Sequence, residues 1–149
     1  MSQKIVLTLL AVLLLVSVDI AHAQHPNKIP HIGVLRVGGP PDAFIDAFRE
    51  GLQQVGYTEG KNIIVDYRWL KREDQFVEAA EELTRARVDI IVATSTPGAL
   101  AAKHATQSIP IVVPVMGDPI GSGLVAGLAH PGGNLTGLSS LAPDLWPKR

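Results

Sequence analysis

Cysteine is missing from all 149 positions of the chain. Its absence excludes a disulfide framework, a thiolate nucleophile, a thiolate-ligated metal and a lipid-modified N-terminal cysteine. The mature chain is therefore expected to be untethered and to fold on its apolar core alone. A charge excess of either sign is also missing, since thirteen Lys and Arg stand against fourteen Asp and Glu without blocks. That balance creates no field that would draw in nucleic acid or an anionic membrane, so neither is expected as a partner. A long hydrophobic run is the third absence. The longest apolar stretch covers residues 5–18 and stops at Asp19, short of the roughly 20 apolar residues that a membrane-crossing helix needs.

What is present at the N-terminus fits an export signal instead. Lys4 precedes the apolar stretch, and Ala21-His22-Ala23 follows it with the small-x-small pattern that a signal peptidase accepts. Residues 1–23 are thus expected to be a signal peptide cleaved after Ala23, which places the mature chain in the periplasm. An uncleaved anchor is the competing reading. Residues 24–30 form a polar, proline-punctuated leader, and residues 31–149 suffice for one domain.

Along that domain, short apolar runs alternate with helical periodicity. His31-Ile-Gly-Val-Leu35 reads as a buried strand closed by Gly38-Gly39-Pro40-Pro41. Phe44, Phe48, Leu52 and Val55 recur at helical spacing, with Asp42 placed to cap the helix and Gly56 to end it. A second strand is expected over 62–68 and a second helix over 73–87 with Phe76, Ala80 and Leu83 as its buried stripe. Strands over 88–93, 110–115 and 136–139 and helices over 97–106 and 121–129 complete the pattern. Strands apolar on both faces and separated by helices predict an α/β fold: a Rossmann-like parallel sheet with helices on both faces.

Ligands of open parallel sheets bind at the carboxyl ends of the strands, and three loops there are chemically pointed. Val37, Gly38 and Gly39 let backbone amides approach a ligand, although the same glycines serve equally to make a tight turn. Thr94, Ser95, Thr96 and Pro97 combine three hydroxyls with a helix start, whose free amides and dipole suit a carboxylate; capping alone would also explain them. Gly117, Asp118 and Pro119 present an acid that can accept from a ligand ammonium or cap the helix expected to start near Gly121.

Other motifs fail on context. Gly121-Ser-Gly123-Leu-Val-Ala126 matches a dinucleotide fingerprint but follows the fourth strand instead of the first, and Gly60-Lys61 lacks the rest of a phosphate loop. Of the five histidines only His22 and His25 stand at helical spacing, and His22 is expected to leave with the signal peptide, so no metal site is expected. Neither Ser95 nor Ser139 sits in a nucleophile elbow. No catalytic residue, enzyme activity or cofactor is expected.

The segments Lys28-Ile-Pro-His-Ile-Gly-Val-Leu35, Phe48-Arg-Glu-Gly-Leu52, Gly56-Tyr-Thr-Glu-Gly-Lys-Asn62, Asp66-Tyr-Arg-Trp69, Gly117-Asp-Pro119 and Pro131-Gly-Gly-Asn-Leu-Thr-Gly137 occur in order across the mature chain. Together they resemble the ABC-transporter substrate-binding proteins of the tryptophan- and tyrosine-binding type. The resemblance implies a periplasmic binding protein of two Rossmann-like lobes that close over a small ligand and hand it to a membrane permease with its ATPase. Family members continue beyond the position of Arg149 into a second lobe, so this sequence is expected to be the N-terminal lobe alone. Carried onto this chain, the family's first-lobe ligand loops fall at Val37 to Gly39, Thr94 to Pro97 and Gly117 to Pro119. The implied ligand is an amino acid, aromatic ones foremost. A lone lobe leaves one ligand face in water, predicting weak binding, and leaves apolar surface uncovered, favouring association. Two other classes compete. An exported α/β hydrolase or reductase would need a nucleophile and base within reach of each other. The effector-sensing domain of a regulator would carry a helix-turn-helix where this chain has its apolar N-terminus.

Overall fold

The computed structural model describes residues 28–127 and 132–139. The expected signal peptide and leader up to residue 27, and the chain beyond 139, lie outside the described residues. The described part is a five-stranded parallel sheet of order β2-β1-β3-β4-β5. Its strands are β1 (His31–Val37), β2 (Ile64–Leu70), β3 (Ile90–Ala93), β4 (Ile111–Met116) and β5 (Leu135–Ser139). Its helices are α1 (Ala43–Gln54), α2 (Phe76–Arg85) and α3 (Thr96–Ala105).

Local sequence accounts for most of these boundaries. Asp42 accepts from the Phe44 and Ile45 amides at 2.9 and 3.2 Å and so starts α1, while Gly56, at φ 88°, turns the chain away at its end. The α2 stripe of Phe76, Ala80 and Leu83 is fully buried, joined by Ala79. Residues 73–75 form a separate 3-10 turn before α2, in which Gln75 reaches back to the Arg72 amide. The sheet has an apolar cluster on each face. Leu35, Ile91, Ile111 and Val113 meet α2 and α3, whereas Ile32, Val34, Val92 and Ile63 meet Ile45 of α1. Two covered faces explain why the strands read as continuous apolar runs. Gly33 lets α2 come close: a Cβ there would lie 2.7 Å from the Leu83 methyl carbons.

Three expectations need correction. β1 runs on to Val37, because its pairing with β2 continues through Arg36 to Trp69 and Val37 to Leu70. Val55 does not pack on the α1 face but is 70% exposed at the helix end, where α1 has passed the edge of its cluster. No helix forms over 121–127. Gly123 adopts φ 74°, which breaks helical geometry, and the segment is a chain of turns; residues 128–131 lie outside the described residues.

Several motif residues prove to be turn fasteners. Asn62 donates to Gly56 O at 2.9 Å and accepts from the Thr58 amide at 2.7 Å, closing the turn before β2. Asn134 donates to Ile109 O at 2.6 Å and to Thr106 O at 3.3 Å, fixing β5 against the turn after α3. Asp89 accepts from the His31 amide at 2.9 Å and pairs with Lys28.

Candidate functional site at the carboxyl edge of the sheet

All five strands run parallel, so their carboxyl ends gather along one edge. From β1 the chain crosses one face through α1 to β2, then returns over the opposite face through α2 to β3. The loops after β1 and β3 therefore leave neighbouring strands toward opposite faces. In doubly wound folds ligands usually sit beyond the sheet at such a divergence. Val37 to Gly39 and Thr94 to Pro97 follow these two neighbouring strands, and Gly117 to Pro119 lies one strand further along.

The three loops differ in how many polar groups they leave open. Gly38 gives its amide to Leu70 O at 2.9 Å, whereas the exposed Gly39 amide has no partner among the described residues. Thr94 is committed to the fold: its amide and hydroxyl both donate to Leu35 O, at 3.3 and 3.2 Å. Ser95 is the cap of α3, its hydroxyl oxygen accepting from the Gly98 amide at 3.3 Å. Pro97 contributes no donor. The amides of Ser95 and Thr96, with the two hydroxyl protons beside them, have no acceptor among the described residues. These half-buried residues sit at the positive end of the α3 dipole.

On the third loop, Asp118 Oδ1 accepts from the Gly121 amide at 2.8 Å, and the carboxylate is exposed. Gly121 permits that turn, since a Cβ there would lie 2.0 Å from Oδ2. Asp118 thus closes a turn instead of capping a helix. Ser139 Oγ donates to Gly117 O at 3.4 Å, and a cleft of about 170 Å³ opens beside Pro119 between β4 and β5.

Two supporting side chains escape sequence reasoning. Arg36 Nε donates to Asp42 Oδ2 at 2.5 Å while its guanidinium lies 4.8 Å over the Phe44 ring. Asp42 thereby ties both ends of the Gly38–Gly39 loop, and the Arg36 hydrogen bond holds its carboxyl below the usual carboxylate range. Lys103 Nζ donates to Gly123 O at 2.6 Å and Leu124 O at 3.0 Å, clamping the segment after Asp118 against α3. Only Arg36, two residues before the glycine pair, carries any signal in the sequence. Among the described residues no cluster of three or more His, Asp or Glu is placed to hold a metal.

The family described as ABC transporter substrate binding protein matches residues 36–144. A tyrosine-binding protein of Clostridioides difficile is 34% identical over 116 residues, 76% of this chain and 34% of that protein. The chain belongs to the ABC transporter substrate binding protein family. Solved structures agree with the assignment. A ligand-free, open substrate binding protein with adhesive properties from Clostridium difficile superposes with a TM-score of 0.69 at 33% identity. That match covers 74% of this chain and 39% of the other. An ABC domain from Streptococcus pneumonia in complex with L-Trp gives 0.64 at 29% identity, covering 75% and 39%. This member of the substrate binding protein family therefore spans only about a third to two fifths of the length of these relatives. It corresponds to a single lobe. The family is one of binding proteins, and no helix among the described residues is long and apolar enough to cross a membrane.

Proposed function

We propose that this lobe forms half of the ligand site of an extracytoplasmic receptor for an ABC importer, and that it grips the carboxylate of an amino acid. The carrying observation is the opening of α3, where the Ser95 and Thr96 amides and hydroxyls stand without acceptors at the sheet's carboxyl edge. A carboxylate placed there gains charge-assisted hydrogen bonds and the helix dipole without any arginine. Gly39 closes over the ligand from the β1 side, and Asp118 accepts from its ammonium from the β4 side. The bound tryptophan and the tyrosine-binding name of two relatives support aromatic amino acids as the first ligands to test. Residues 1–23 export the chain, and the permease with its ATPase receives the ligand on the periplasmic side of the membrane. Closure by a second lobe completes the receptor, so the lone lobe binds with a dissociation constant of about 1 mM or weaker.

Site-resolved NMR suits such weak binding. Titration of the chain with L-tryptophan and L-tyrosine is expected to shift the Ser95, Thr96 and Gly39 amides first. Shifts confined to other regions, or a micromolar affinity by calorimetry, would contradict the half-site reading.

A further inference from the structure

The other edge of the molecule carries a separate interaction surface. Among the described residues β2 pairs with β1 alone, leaving its outer side unpaired. Ile64 donates its amide to Pro30 O at 2.8 Å, and Leu70 O accepts from the Gly38 amide at 2.9 Å. Residues 64, 66, 68 and 70 therefore turn their peptide groups toward β1. By alternation Val65, Tyr67 and Trp69 present theirs outward. The strand is seven residues long and free of proline, with Ile64 48% exposed. Native proteins usually blunt such an edge or use it.

We propose that β2 pairs antiparallel with β2 of a second copy of this chain, about a twofold axis through Tyr67, joining two sheets into one. This register pairs the outward peptide groups of Tyr67 with those of the second copy's Tyr67, and those of Val65 with Trp69. Between them fall the close, non-hydrogen-bonded positions, where side chains approach most nearly. Asp66 there faces the second copy's Arg68, Arg68 faces Asp66, and Ile64 faces Leu70. Moving the axis to residue 66 or 68 would set Asp66 against Asp66 or Arg68 against Arg68, which like-charge repulsion disfavours. Moving it to 65 or 69 would leave much of the strand unpaired.

Two further observations agree. Arg68 binds Asp66 at 3.1 Å and Glu82 at 3.5 Å within its own chain, yet its buried Nε has no hydrogen-bond partner. A groove of about 320 Å³ runs beside Tyr67 to Leu70, bordered by Gln75, Glu78 and Glu82, and leaves room for an incoming strand with its arginine. The carboxyl-edge loops stay open in this dimer, so the inference stands apart from the ligand reading.

Cysteine chemistry tests it cleanly because the chain has none of its own. Under mild oxidation Tyr67→Cys is expected to form a covalent dimer, because opposed residues in that register lie within disulfide reach. Val77→Cys, on the exposed outer face of α2, is expected to remain monomeric. Analytical ultracentrifugation of the unmodified chain at about 0.1 mM is expected to show a dimer. Arg68→Asp should raise its dissociation constant at least about tenfold, and adding Asp66→Arg should restore it. Because Arg68 also pairs with Asp66 inside its own chain, an unchanged far-UV circular dichroism spectrum and urea midpoint for Arg68→Asp are what separate lost pairing from misfolding. A monomeric unmodified chain, an unrestored double variant, or cross-linking at Val77→Cys equal to that at Tyr67→Cys would overturn the proposal.

Discussion

Asp42 serves two loads with one carboxylate. Oδ1 caps α1 and Oδ2 holds Arg36, so the start of a helix and the end of the β1 loop depend on a single ionised group. Its native pKa lies below its unfolded value, so at acid pH the unfolded chain binds more protons. The stabilisation from this group is therefore complete above the ordinary carboxylate pKa of about 4, and is lost as pH falls through the depressed value. In urea unfolding, Asp42→Asn should lower the midpoint at neutral pH, with the gap from the unmodified chain narrowing toward about pH 3. A constant gap would assign the effect to packing instead of charge. Ser95→Ala removes the α3 cap and should cost about 1 kcal/mol in the same assay. It also removes one of the two hydroxyls in the proposed ligand grip.

Elements were legible where their signals are local. Asp42, Gly56 and the Phe76, Ala80, Leu83 stripe can be read from neighbours within a turn or two, and the structure agrees with each. Sequence and structure part where a distant partner decides. β1 extends to Val37 because β2 lies beside it, a fact that neither segment states alone. Residues 121–129 read as helical by their periodicity, but over the described 121–127 Gly123 and the Asp118 turn impose another path, which Lys103 secures from twenty residues away. Lys103→Met should therefore accelerate amide hydrogen exchange over residues 121–125, with a far smaller change in α2. Close packing is equally hidden. Gly33 reads as an ordinary strand glycine until Leu83 is seen against it, and Gly33→Val should lower unfolding free energy by about 1–3 kcal/mol through overpacking.

At the scale of the molecule, parallel strands, a switch point between β1 and β3, and a helix start at that point generate the candidate site. The sheet rule, applied to sequence alone, picked the three loops that the fold brings to one edge. It could not show which donors remain open, because that depends on hydrogen bonds made elsewhere. Leu35 takes both donors of Thr94, and Leu70 takes the amide of Gly38. The accounting narrows the proposed anion grip to Ser95 and Thr96, with Gly39 beside them. That grip is tested most directly by comparing L-tryptophan with L-tryptophanamide, which keeps the side chain and ammonium but lacks the carboxylate. In parallel NMR titrations, L-tryptophan should shift the Ser95 and Thr96 amides while L-tryptophanamide leaves them nearly unmoved. Equal shifts from both compounds, or none from either, would contradict carboxylate recognition at the start of α3.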